Sequence, residues 1–301
     1  MADTINLILI PVLMFAGILL GRVKIGLTQS RLEFLIVYIT APIMLFMEML
    51  KADLGGFSLG SVVGMSLVYL VLCFAVSYGM ARKLSDQEKG TVVINSTFIN
   101  SIFLPFPIIY AFYGDLSIAL LFALPTMIAH NTIGVFMASY WGHGKIGKQV
   151  LVKAITYPPL LGFLIGLLAR PFLSSFAATQ AFGWLSNIGL STVYLSLIFV
   201  GLATPLSKES LFVYRNRITG LITLNRLLIS PILALILIAI FNTSGIVNSV
   251  VLIMALMPPA VTNLVMISRF NLDIKSTCQS VFAPTLLSLA IIFILRLLAV
   301  L

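Results

Sequence analysis

The sequence predicts an all-α integral membrane protein of ten transmembrane helices, built as two inverted five-helix repeats with a crossover of broken helices 4 and 9. Three observations predict it. First, 60% of the 301 residues are apolar and only 9% are charged, against roughly 25% charged in ordinary soluble domains; the mean hydropathy is +1.14. Second, the apolar residues fall into runs of about 20, the length a helix needs to cross a bilayer. Third, the basic residues crowd into alternate breaks between those runs, as cytoplasmic loops require. An ordinary soluble enzyme and a disordered chain are excluded. The net charge of +9, which in a soluble domain would point to nucleic acid, here records orientation; no nucleic-acid partner is expected.

Helix is the default for each run, because a bilayer has no water to satisfy unpaired backbone groups. The spans are 4–21, 32–50, 58–81, 91–112, 116–141, 149–170, 181–205, 217–241, 246–268 and 275–300. The first carries Asp3 and no basic residue before its apolar run, so it is expected to be a true span and not a cleaved signal peptide. Breaks after the odd-numbered spans hold Arg22, Lys24, Arg31, then Arg82, Lys83, Lys89, then Lys145, Lys148, Lys153, then Lys208, Arg215, Arg217, then Arg269 and Lys275. Breaks after even spans hold only Lys51 and Arg170. Odd breaks are therefore predicted to be inside, with both termini extracytoplasmic, in a multi-pass protein of the plasma (inner) membrane. Cys73 and Cys278 sit in apolar stretches and build no disulfide framework.

Five spans per half force a duplicated half to insert upside down, the signature of many secondary transporters. Span 1 runs Pro11-Val-Leu-Met-Phe-Ala-Gly-Ile-Leu-Leu-Gly-Arg22, and span 6 runs Pro159-Leu-Leu-Gly-Phe-Leu-Ile-Gly-Leu-Leu-Ala-Arg170. The shared Pro and Arg are the informative matches. Residues 1–141 are assigned to the first repeat, 142–148 to a cytoplasmic connection and 149–301 to the second repeat. Spans 1, 2, 6 and 7 are assigned to a scaffold, and spans 3–5 and 8–10 to a bundle that carries the site.

Spans 4 and 9 carry prolines near their middles, Pro105 and Pro107 in one and Pro258-Pro259 in the other. A proline removes a backbone donor and clashes with the carbonyl four residues earlier. The pairs are expected to occupy equivalent places, to break both helices at membrane depth, and so to build a binding site. All nine acids lie in breaks or near span ends: Asp3, Glu33, Glu48, Asp53, Asp86, Glu88, Asp115, Glu209 and Asp273. A cation carrier would be expected to hold a deep carboxylate. Half-helix N-termini and the amides of Asn95, Asn100, Asn131 and Asn263 favour a small anion instead.

The segment Asn100-Ser-Ile-Phe103-Leu-Pro105-Phe-Pro107, with Tyr113-Gly114 after it, resembles the fourth-span motif of the auxin efflux carrier (PIN-like) family. Met257-Pro258-Pro259-Ala260 with Asn263 resembles its ninth-span motif. Also similar are His130-Asn131, Pro42-Ile-Met-Leu45-Phe46 and Tyr194-Leu-Ser-Leu-Ile-Phe-Val-Gly201. Ile102 and Pro105 depart from it, standing where the family usually has glycine. The resemblance implies a secondary transporter with the sodium–bile acid symporter-like fold, an organic anion as substrate and, by analogy with plant members, a homodimer. It carries the substrate site onto Asn100, Pro107, Asn131, Pro259 and Asn263, to which the break itself adds Pro105 and Pro258.

Other residues have two readings each. His130 relays a proton, or is a neutral helix-packing histidine. Arg226, about two to three turns into span 8, snorkels back to the cytoplasmic interface, or faces an anion in the inner vestibule. Thr285, with Ser288 and with Tyr38 and Thr40 of span 2, lines the site wall or bonds its own helix. No catalytic motif or phosphate-binding loop is present, so no enzyme activity, cofactor or resident metal is expected. Coupling to Na+ or H+ is left open, since carbonyls at the breaks could bind sodium without a sequence trace. An anion channel or a non-transporting sensor of the same fold is the alternative function.

Overall fold

The computed structural model describes residues 2–23, 28–51, 59–142, 156–173, 176, 179–203 and 216–301. Lys24, Lys145, Lys148, Lys153, Lys208 and Arg215, together with most of the expected 142–148 connection, lie outside the described residues.

The described chain is helical: α1 (Ala2–Leu20), α2 (Gln29–Lys51), α3 (Leu59–Ala81), α4 (Asp86–Thr97), α5 (Pro105–Tyr113), α6 (Ser117–Trp141), α7 (Pro158–Ala169), α8 (Gln180–Leu202), α9 (Arg217–Phe241), α10 (Ile246–Ala255), α11 (Asn263–Arg269) and α12 (Ile274–Leu297). Among the described residues, six helices are long and apolar enough to cross a membrane: α2, α3, α6, α8, α9 and α12. Exposed apolar side chains such as Val71, Leu235 and Ile240 give their outer faces a character suited to lipid.

Where the sequence places spans 4 and 9, each helix stops and restarts. The first break covers 98–104, between α4 and α5. The second covers 256–262, between α10 and α11. α4 begins earlier than the apolar run, at Asp86, because Ser85 and Glu88 form a reciprocal capping box. That box satisfies two orphan backbone donors and needs no hydrophobicity, so a hydropathy reading passes over it.

Three long helices contain a π turn: Ile36–Thr40 in α2, His130–Gly134 in α6 and Asn225–Ile229 in α9. A π turn inserts an extra residue, rotates the remainder of the helix and frequently marks a functional position. Here the turns present His130, Asn131 and Arg226.

The chain divides into two compact units. Unit 1 comprises Met1–Leu59, Ile102–Leu120 and Val152–Thr204, and unit 2 comprises Gly60–Ser101, Leu121–Leu151 and Pro205–Leu301. In unit 1, α1 packs on α8, and the second half of α2 packs on both α7 and α8. Two glycines allow these approaches. A Cβ at Gly162 would lie 2.3 Å from the Pro42 carbonyl oxygen, and one at Gly201 would lie 2.0 Å from that of Met14, so any larger residue would force the helices apart.

Unit 2 gathers α4 against α6, α9, α11 and α12. Its apolar core includes Val92, Val93, Phe98, Met137, Trp141, Ile218, Ile222, Met266 and Phe270. Three of its helices open on side-chain caps: Ser85 for α4, Asn216 for α9 and Asp273 for α12.

Candidate functional site

The candidate site is where, within unit 2, the chain leaving α4 meets the chain leaving α10. Beyond α4 the chain extends through Phe98, Ile99 and Asn100, and beyond α10 it extends through Pro258, Pro259 and Ala260. The strands run antiparallel. The Asn100 N–H donates to the Pro258 carbonyl at 2.9 Å, and the Ala260 N–H donates to the Phe98 carbonyl at 3.0 Å. Ile99 and Pro259 face each other between those two bonds. An antiparallel ladder asks nothing of the N–H groups at such a non-hydrogen-bonded pair, so Pro259 sits there without loss. Pro258 needs only to accept. This is how two consecutive prolines fit inside a buried backbone pairing.

The prolines of span 4 behave differently, which corrects the expectation of equivalent proline pairs. Pro105 is the first residue of α5 and Pro107 the third. A helix start tolerates proline because its first N–H groups have no intrahelical partner anyway and φ is preset. These prolines therefore open the second half-helix, and the break lies before them. They also leave α5 short of donors: two of its first three residues lack an N–H, and the third, Phe106, donates to Ile102 O at 3.4 Å. The expected anion-binding amides at this half-helix start are largely removed. Both prolines are buried and belong to unit 1.

A directional chain of side chains ties the crossover to its neighbours. The Asn95 amide donates to Thr91 O at 2.9 Å and to Thr277 Oγ1 at 3.0 Å. Its Oδ1 accepts from Asn263 Nδ2 at 3.1 Å, and that same nitrogen lies 3.4 Å from Phe98 O. With Nδ2 so engaged, Asn263 Oδ1 faces His130 Nε2 at 2.8 Å. His130 therefore donates through Nε2. Its ring also lies 5.1 Å from that of Phe98. Asn95 and Asn263 are both wholly buried, and buried amides without partners would be costly.

Arg226 is the least anticipated member. It does not snorkel and it does not open onto a vestibule: its relative exposure is 0%. Its Nε donates to Met257 O at 3.0 Å, its Nη1 to Ser96 O at 3.1 Å, and its Nη2 to Ala255 O at 2.8 Å and Tyr69 Oη at 3.2 Å. Ser96 lies in the last turn of α4, Ala255 ends α10, and Met257 follows it at the start of the break. The guanidinium thus caps the C-terminal ends of both half-helices, where orphan carbonyls and the negative end of the helix dipole converge. Ser230 adds a bond to Ala255 O at 3.0 Å and pairs with the Tyr69 hydroxyl. Ser288 donates to Leu256 O at 2.6 Å. Three successive carbonyls at the end of α10 are thereby satisfied by side chains from α9 and α12.

Of the residues expected at the site, Asn100, Pro258, Pro259, Asn263 and His130 come together in unit 2. Asn131 is half-buried, and its amide donates to Met127 O of its own helix at 2.9 Å. Thr285 is buried but donates to Val281 O, one turn back, at 2.6 Å. That is the common habit of helical threonines, and it takes the hydroxyl away from a site wall. Tyr38 is 57% exposed and stacks on Phe34. The sequence reading missed Tyr69, Ser230 and Thr277. An arginine deep in an apolar span was the available signal, but hydroxyl partners on other helices leave no trace in spacing. No group of three metal-ligating side chains occurs among the described residues.

Comparison with known proteins finds membrane transporters. Residues 4–145 match the family model Mem_trans, described as a membrane transport protein. The chain is 26% identical over 271 residues to an uncharacterised transporter of Methanocaldococcus jannaschii, covering 87% of this chain and 86% of that one. It is 25% identical over 268 residues to an uncharacterised transporter of Methanothermobacter thermautotrophicus, covering 86% and 85% respectively.

Proposed function

We propose that this chain, whose residues 4–145 match the Mem_trans membrane transport model, is a membrane transporter and carries a small organic anion across the membrane by secondary active or facilitative transport. One observation carries the choice of an anion. Unit 2 buries a full positive charge, Arg226, while Glu48, in unit 1, is the only acid buried among the described residues. A buried charge is stabilised by opposite charge or by dipoles. The core around the crossover thus leans positive, and among the described residues an anion entering it meets no buried carboxylate in this unit.

In this proposal ten spans form two inverted repeats, 1–141 and 149–301, joined at 142–148. Both termini are extracytoplasmic in the plasma (inner) membrane. Alternating access comes from the bundle of spans 3–5 and 8–10 moving against the scaffold of spans 1, 2, 6 and 7. Asn100 offers its amide to a substrate carboxylate beside the Pro258-Pro259 strand. Asn263 holds that strand in place through Asn95 and His130. The functional unit is proposed to be a homodimer.

The test is uptake of radiolabelled mono- and dicarboxylates into liposomes containing the purified protein. Saturable flux, abolished or reduced at least tenfold in Asn100→Ala with the protein still folded, is expected. Flux near diffusion rates would indicate a pore. Carboxylate binding without flux would indicate a sensor, and unchanged flux in Asn100→Ala would remove this residue from the site.

A further inference from the structure

We infer that Arg226 is a built-in cation for the crossover, standing where a coupling sodium ion would otherwise bind. The inference rests on the transport reading only for its consequence, that substrate loads without sodium. In transporters with broken helices, unwound carbonyls and half-helix C-termini are the groups that coordinate sodium. Here the carbonyls of that kind already have a cationic partner. Ser96 O, Ala255 O and Met257 O each accept from the guanidinium at 2.8–3.1 Å. Tyr69 Oη, another oxygen a sodium ion could use, lies 3.2 Å from Nη2.

This oxygen cluster does not fit a sodium ion. An ion placed among these carbonyls would meet a like charge that is fully buried and cannot leave. Among the described residues no buried acid stands in the unit to balance a second cation. The arginine also differs from an ion in being tethered. It reaches the carbonyls from the π turn Asn225–Ile229, so the ends of α4 and α10 stay joined whether or not salt is present. A coupling ion would join them only when bound. The consequence is a carrier whose crossover is assembled constitutively, and whose driving force is the anion gradient or the membrane potential.

The experiment compares thermal midpoints of the purified protein in sodium, potassium and choline chloride at equal ionic strength. The wild-type midpoint should be the same in all three. A rise specific to sodium in the wild type would overturn the inference. Arg226→Ala vacates the carbonyls, and its lowered midpoint should be raised by millimolar ethylguanidinium or by sodium, but not by choline. A folded Arg226→Ala that responds to neither, or equally to all salts, would also overturn it. If Arg226→Ala does not fold, Arg226→Lys keeps a positive charge against the same oxygens. It should fold and remain indifferent to sodium; a sodium-specific rise in it counts against the inference. These readouts need no transport. A wild type that ignores sodium but moves no carboxylate defeats only the transport reading, and one stabilised by sodium that does move carboxylate defeats only this inference.

Discussion

Both units bring backbones close at glycines, but unit 2 adds a second kind of joint. In unit 1 the described contacts are close backbone approaches: Gly162 against Pro42, and Gly201 against Met14. On α8 the hydroxyls of Ser186, Thr192 and Ser196 are buried without hydrogen-bond partners, so these residues serve by being small. Unit 2 has a close approach of its own, Gly142 against the Phe270 carbonyl, but it adds side-chain hydrogen bonds to main-chain groups at the ends of broken helices, from Arg226, Ser230, Ser288 and Asn263. The difference teaches what a broken helix demands. An intact helix satisfies its own backbone and asks a neighbour only for space. An interrupted one exposes carbonyls and amides at membrane depth, and each must find a partner in the protein. Polar residues accumulate in unit 2 for that reason before any substrate is considered.

Four substitutions break or sharpen the contrast. Arg226→Ala in unit 2 should have the largest effect. It strips cationic partners from three buried carbonyls, a loss of about 3–5 kcal/mol by analogy with removing one partner of a buried ion pair. A drop in apparent melting temperature larger than for the other three variants is the expected measurement; a drop no greater than theirs would mean water replaces the guanidinium freely. Gly201→Ala in unit 1 should follow. Its new methyl would sit 2.0 Å from Met14 O, and overpacking of this kind typically costs about 1–3 kcal/mol. Here no polar ligand should rescue the loss, whereas ethylguanidinium should rescue Arg226→Ala, and that contrast separates the two kinds of joint.

Asn263→Ala should cost about 1–3 kcal/mol, the penalty for leaving buried polar partners unsatisfied. His130 and Asn95 would both lose a partner, so a double-mutant cycle with His130→Ala should show coupling of about 0.5–3 kcal/mol. An additive cycle would remove the 2.8 Å contact from the energetics. The smallest effect is expected for Thr285→Val, within about 0.5 kcal/mol, with unaltered carboxylate uptake, because its hydroxyl serves its own helix. A marked transport defect in that variant would return Thr285 to the site.

Much of this is legible in the chain and some is not. The breaks of spans 4 and 9 are readable because proline acts locally, by removing an N–H and fixing φ. Which side of a break a proline occupies is not readable. Pro105 starts a helix while Pro259 lies in an extended pairing, and the difference depends on which strand lies opposite. Asn263 stands out as an amide in an apolar run, yet its partners, His130 and Asn95, are 133 and 168 residues away. Arg226 stands out too, but its destination does not. Snorkelling is the cheapest solution for an isolated helix, and only a second and third helix ending at the same place make burial cheaper.

Composition and the run lengths, by themselves, determined a helical membrane protein, since 60% apolar residues in runs of about 20 leave few other solutions. The tertiary structure alone decided where the unsatisfied backbone groups of the broken helices would gather, and so which side chains would be drawn to them. The physical reason is range. Hydrophobicity and proline geometry act within a few residues along the chain, whereas the pairing of an orphan carbonyl with a guanidinium is settled only when distant segments meet.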